Sequence, residues 1–206
     1  MHHNNRKEHW EHIYQTKQPN EVSWHQPKPE TSLRFISQFN LSKTARIIDV
    51  GGGDSYLVDH LLQLGFSDIT VLDISKNAIE RAQKRLGNKA ECVNWIVTDV
   101  TDFSPDGTYD LWHDRAVFHF LTEENEIAQY QNTVQKHITD KGGLIVGTFS
   151  TNGPEKCSGL PIMQYSQDSL TKVFSNTFER DVCFTVNHTT PFNTLQNFVF
   201  CSFTKK

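Results

Sequence analysis

The sequence predicts a doubly wound α/β fold on a mostly parallel sheet. Three observations carry this. From Ala45 onward, apolar runs of strand length alternate with amphipathic stretches of helix length. The first run leads straight into a glycine-rich turn, 47-IIDVGGGDSYL-57. The chain then closes with two further strand-like runs, close together in sequence and joined by a turn region that contains Pro and Asn.

The strand-like runs cover 46–50, 69–72, 93–97, 109–112 and 144–149, and the helical stretches between them 56–64, 76–86 and 123–137. Ser75 is placed to cap the second helix and Thr122 the third. Gly65, Gly87 and the pair Gly142–Gly143 stand where helices should stop. Further on, Leu170, Val173, Phe174 and Phe178 mark one face of a helix over 166–178. Runs at 180–186 and 197–203 then read as an antiparallel hairpin. Before the regular pattern, apolar residues at helical spacing mark 31–39. Residues 1–30 are polar apart from Trp10, Tyr14 and Trp24 and a few small or isolated apolar residues, and are expected to form an aromatic arm or lid, with the main domain over 31–206.

Composition narrows the function classes. At 206 residues with 36% apolar and 21% charged side chains, the chain fits a soluble globular domain. A net charge of −4 and no basic run give nucleic acid and anionic lipid little to bind. The first residues lack the apolar core of a signal peptide, and no run reaches membrane-spanning length, so a cytoplasmic location is expected. Cys92, Cys157, Cys183 and Cys201 form no CxxC pair, so no metal cluster and four free thiols are expected. His2 and His3 read as solvated tail.

Glycine loses more backbone freedom on folding than any other residue, so a run of it marks a tight turn or a close approach. In a doubly wound sheet, ligands bind beyond the carboxyl ends of the strands, where strand order reverses. A dinucleotide site would carry GxGxxG, but Tyr56 stands at the sixth position. Asp49, two residues before Gly51, with Gly53 and Ser55 following, instead fits (D/E)xGxGx(G/S), a pattern that sets a carboxylate against a cationic ligand. The next strand ends in Asp73, which can accept two ribose hydroxyls, and the third in Asp99, placed for an adenine amine. An ordinary tight turn, a capping Asp and a loop acid are the bland alternatives, and they weaken when the acids fall at three successive strand ends.

The ordered set DVGGGDS, VLDIS, TDV, YDLWHDR and GGLIVGTF resembles the class I S-adenosylmethionine-dependent methyltransferases, over roughly residues 30–206. The resemblance implies a Rossmann-like, seven-stranded sheet with the last strand antiparallel. It assigns Asp49, Gly51, Gly52, Gly53 and Ser55 to the methionine end of the cofactor, Asp73 and Ile74 to ribose, and Asp99 and Val100 to adenine. The segment WEHIYQTKQPNEVSWHQ and the Asp114–Arg115–Ala116 turn resemble thiopurine methyltransferases, and the latter also a group of protein-lysine methyltransferases. That likeness implies Trp10, Tyr14 and Trp24 over the adenosyl group, Arg115 near its methionine end, and an arm that orders when ligand binds. The alternative is an aromatic cluster that only ties the segment down.

His113, Asp114 and His119 follow the fourth strand, where a general base would be useful, although His119 within VFHFL also reads as a core histidine. Cys157 and Tyr165, in the long turn-rich stretch after 149, are candidate substrate contacts. The expected activity is methyl transfer from S-adenosylmethionine to a small molecule, such as a thiol or amine, or to a protein side chain. A non-enzymatic S-adenosylmethionine sensor is the alternative.

Overall fold

A computed structural model describes residues 3–206. Met1, His2 and the side chain of His3 lie outside the described residues, and with them the histidine pair. The chain opens with α1 (His3–Thr16), a short turn at Pro19–Glu21 and α2 (Glu30–Ser37). Then come β1 (Arg46–Val50), α3 (Leu57–Gln63), β2 (Asp68–Asp73), α4 (Lys76–Leu86), β3 (Val93–Val97), β4 (Tyr109–Arg115), α5 (Glu124–His137) and β5 (Ile138–Phe149). A two-residue ribbon, β6 (Lys156–Cys157) with β7 (Leu160–Pro161), precedes α6 (Gln167–Phe174), β8 (Phe178–Thr189) and β9 (Leu195–Lys205).

The main sheet has seven strands in the order β3-β2-β1-β4-β5-β9-β8. β1 to β5 pair in parallel, and β9 runs antiparallel between β5 and β8, as expected of the last strand. Strand order reverses between β1 and β4, so the turns leaving these two strands diverge and open a crevice. Both faces of the sheet are covered. Successive residues Ile47 and Ile48 of β1 belong to two different core clusters, one holding Phe35, Leu57 and Phe200 and the other Trp112, Phe118 and Phe203. That is why the strands read as continuous apolar runs rather than as alternating ones.

Ser75 caps α4 as expected, its hydroxyl accepting from the Ala78 amide at 3.2 Å. Elsewhere the boundaries shift. The cap position of α5 is Glu123 rather than Thr122. Gly142 and Gly143 do not end a helix: α5 passes directly into β5 at Ile138, and both glycines lie inside that strand. A Cβ on Gly143 would come within 2.5 Å of the Phe39 ring, so the glycine admits that ring against the strand. α6 ends at Phe174, and Phe178 begins β8. The expected four free thiols become two, because Cys183 and Cys201 face each other across β8 and β9 and are joined in a disulfide. Among the described residues, no helix is long and apolar enough to cross a membrane.

Candidate active site

The crevice at the ends of β1, β2, β3 and β4 forms one cavity. Asp49, Gly51, Gly52, Ser55, Asp73 and Ile74 line it. Asp99, Val100 and Arg115 line it too, as do Trp10, Tyr14 and Trp24 of the N-terminal segment. Of the cofactor residues named from sequence, Gly53 alone does not line it.

The glycines make room for carboxylates. An ideal Cβ on Gly52 would lie 2.5 Å from Asp49 Oδ2, and one on Gly53 2.5 Å from Asp73 Oδ2. The loop is held from outside by Arg85 of α4, which donates to the carbonyls of Asp54 and Ser55 and to the Asp59 carboxylate. Its guanidinium lies 4.2 Å from the centre of the Tyr56 ring, which gives that residue a packing role where a dinucleotide site would need glycine.

Each acid has a distinct environment. Asp49 is buried, accepts from His113 Nδ1 at 2.7 Å through Oδ1, and leaves Oδ2 with no hydrogen-bond partner among the described residues. Asp73 accepts from the Ser75 amide at 2.8 Å. Burial, with the charges of Asp49 and Glu11 adding to it, pushes its pKa up to about 7. Asp99 accepts from the amide and hydroxyl of Thr101 and faces Arg6 at 3.3 Å, and Arg6 also pairs with Glu126. Arg115 donates to the Trp24 carbonyl at 3.0 Å, while its buried Nη2 has no partner among the described residues. Burial lowers its pKa to about 10, so it stays charged at neutral pH.

The N-terminal segment is a helix whose contacts reach the site. Trp10, Ile13 and Tyr14 form its apolar stripe, with Trp10 packed on Trp24 and Phe120 at ring-centre distances of 5.6 and 5.2 Å. Glu11 caps α4 from a different helix, accepting from the Ser75 hydroxyl and the amides of Lys76 and Asn77 at 2.8, 2.8 and 3.1 Å. Burial acts to raise the Glu11 pKa, but these bonds outweigh it and the net direction is down. His188 of β8 anchors the chain after α1 by donating to the Ser23 carbonyl and accepting from Gln26.

The structure does not bring Asp114 or His119 to the cavity. Asp114 accepts from the amides of Val117 and Phe118 and from the Tyr130 hydroxyl, so both its oxygens serve the interior. Burial raises its pKa to about 6. His119 sits against Phe120 and Phe149, and burial, then the charge of Arg115, lower its pKa to about 3. Tyr165 packs on Phe118 away from the cavity. Cys157 does line the cavity, but burial pushes its thiol up to about 12, which suppresses thiolate chemistry. Arg6, Glu11, Ser32 and Arg85 were not marked by any local motif.

These shifts carry a prediction. Asp73 holds its proton more tightly folded than unfolded, so its contribution to stability is intact below the ordinary carboxylate pKa and is lost as pH rises through about 7. Without ligand, Asp73→Asn should therefore melt near wild type at about pH 4 and increasingly above it as pH rises to about 8. Parallel melting curves across that range would contradict it.

A model described as a methyltransferase domain matches residues 48–145. Malonyl-[acyl-carrier protein] O-methyltransferase 1 of Ilyobacter polytropus is 30% identical over 150 residues, 66% of this chain and 53% of that one. The eEF1A lysine and N-terminal methyltransferase of Mus musculus is 25% identical over 140 residues, 67% of this chain and 20% of that one. The chain thus spans about half or less of the length of these curated relatives. In fold, it resembles N-methyltransferase NodS from Bradyrhizobium japonicum WM9 in complex with S-adenosyl-L-homocysteine, with a TM-score of 0.70 at 14% identity, covering 95% of this chain and 97% of that one. Residues 48–145 thus carry a methyltransferase domain, and the seven-stranded sheet with its acid-lined crevice at the switch point has the Rossmann-like fold of the S-adenosylmethionine-dependent methyltransferases it resembles.

Proposed function

We propose that this chain transfers a methyl group from S-adenosylmethionine, held in the crevice, to a small molecule or a protein side chain. The observation that carries the reading is a matched pair of unsatisfied groups: the buried Oδ2 of Asp49 and the buried Nη2 of Arg115. A carboxylate oxygen and a guanidinium nitrogen that each lack a partner among the described residues suit the ammonium and carboxylate of a bound amino acid. Asp49 would take the ammonium, Arg115 would lie at the methionine end, and Gly51, Gly52, Gly53 and Ser55 would shape the turn there. Asp73 and Ile74 would meet the ribose, and Asp99 and Val100 the adenine. Trp10, Tyr14 and Trp24 would cover the adenosyl group.

Bound S-adenosylmethionine supplies a methyl on a sulfonium whose leaving group departs neutral, so the chain's own task is alignment and exclusion of water. His25 lines the cavity, and burial holds its pKa below the ordinary value, so its imidazole is neutral and able to take a proton where the acceptor needs it. The names of two relatives, one acting on malonyl-[acyl-carrier protein] and one on eEF1A lysine, place oxygen and nitrogen acceptors beside thiols in the screen.

Calorimetry should give micromolar dissociation constants for S-adenosylmethionine and S-adenosylhomocysteine, roughly −8 kcal/mol. Asp73→Ala should weaken both at least tenfold, as expected for lost charge-assisted bonds of about 1.5–3 kcal/mol. Release of S-adenosylhomocysteine across thiols, amines, carboxylates and lysine peptides then identifies the acceptor class. Binding of NAD alone would overturn the reading, and tight cofactor binding without turnover on any acceptor would favour a sensor.

A further inference from the structure

Asp49 and His113 are register partners in the parallel pair of β1 and β4, so their side chains leave the sheet on the same face. His113 Nδ1 lies 2.7 Å from Asp49 Oδ1, and His113 Nε2 lies 2.9 Å from Ser32 Oγ, in the first turns of α2. The three residues are 3%, 2% and 1% exposed, and all line the cavity. A carboxylate only accepts, so the Nδ1 nitrogen must carry the proton. In the neutral ring, Nε2 then accepts from the Ser32 hydroxyl. The string runs from a helix outside the sheet to one oxygen of Asp49 and ends there, leaving the other oxygen without a partner among the described residues.

We infer that His113, held by Ser32, is a positioning residue for cofactor capture: it engages Asp49 Oδ1 and thereby fixes Oδ2 as the acceptor for the ligand's ammonium. This rests on the proposed role of Asp49. A carboxylate in an apolar interior has several rotamers and two equivalent oxygens. A donor bound to one oxygen removes that freedom and leaves the other oxygen to face the ligand. No separate general base is assigned to His113, because its Nδ1 proton is committed to Asp49 and its Nε2 to Ser32.

The alternative is that the string only satisfies buried polar groups and ties α2 to the sheet. The two readings differ in which ligands feel a substitution. 5′-Methylthioadenosine shares the adenosine and thioether of S-adenosylhomocysteine but lacks its ammonium and carboxylate. His113→Leu should weaken S-adenosylhomocysteine about tenfold, the scale of a charge-assisted hydrogen bond, while 5′-methylthioadenosine changes less than about twofold. His113→Asn, whose amide can donate in place of Nδ1, should recover most of the loss. Ser32→Ala should cost S-adenosylhomocysteine about threefold, and 5′-methylthioadenosine nothing, as expected of one neutral hydrogen bond acting indirectly.

Equal losses for both ligands, or none for either, would overturn the inference. If His113→Leu does not fold, the ratio of the two losses in Ser32→Ala decides by the same criterion. Asp49→Asn separates the two levels. If it loses S-adenosylhomocysteine selectively while the His113 and Ser32 variants do not, only the positioning role fails. If Asp49→Asn binds as wild type, the assignment of Asp49 fails with it.

Discussion

Gly52→Ala should lose cofactor affinity by about 100-fold, measured as the dissociation constant for S-adenosylhomocysteine. The added methyl would stand 2.5 Å from Asp49 Oδ2, 2.8 Å from its Cγ and 2.9 Å from Val71 Cγ1. Something must move, and Val71 is buried in the core beside β1. The carboxylate is the group that yields, and it turns away from the position proposed for the ammonium. Losing that pairing costs about 1.5–3 kcal/mol, and overpacking adds about 1–3 kcal/mol to the instability of the fold. Gly65→Ala is the control. Nothing lies within 4 Å of its added Cβ, so it tests backbone strain at φ +86° without touching the site. A Gly52→Ala protein that binds and melts like wild type would show that the carboxylate does not need this space.

Deleting residues 1–25 should leave a folded sheet that melts roughly 10 °C lower and binds cofactor at least tenfold more weakly. The deletion removes the burial of Trp10 and Tyr14, about 1.5–3 kcal/mol each, and the Glu11 cap on α4, about 1 kcal/mol. For a chain of this size, a few kcal/mol correspond to a shift of this order. It also strips Arg115 of the Trp24 carbonyl and exposes the flank carrying Asp99. In the full chain, hydrogen exchange reads the same coupling. Protection over residues 8–26 should rise when S-adenosylhomocysteine is added. Equal protection with and without ligand would mean that the aromatic residues complete the core and do not respond to the cofactor.

The repeating part of the molecule was legible because its signals are local. β1, β3 and α4 occupy the residues their apolar periods mark, and Ser75 caps as its side chain suggests. α1 was less visible because its apolar stripe is only Trp10, Ile13 and Tyr14 in a helix whose remaining described side chains are polar. The three strand-end acids were legible for a topological reason, since parallel strands deliver their carboxyl ends to one edge. Asp114 and His113 show where that argument needs a second step. Both lie near the end of β4, before Arg115, but alternation puts His113 beside Asp49 and Asp114 on the opposite face, among Val117, Phe118 and Tyr130. Arg6, Glu11, Ser32 and Arg85 act through partners 93, 65, 81 and 31 residues away, so no local pattern could mark them.

The Glu11 cap places a negative charge beside the helix that starts just after Asp73, and that charge contributes to holding the Asp73 proton. Docking of the arm and ionisation of Asp73 therefore oppose each other electrostatically, while the contacts of Trp10 and Tyr14 favour a closed cover. One carboxylate therefore does two things: it fastens α1 to the start of α4, and it adds its charge to that of Asp49 around the buried Asp73.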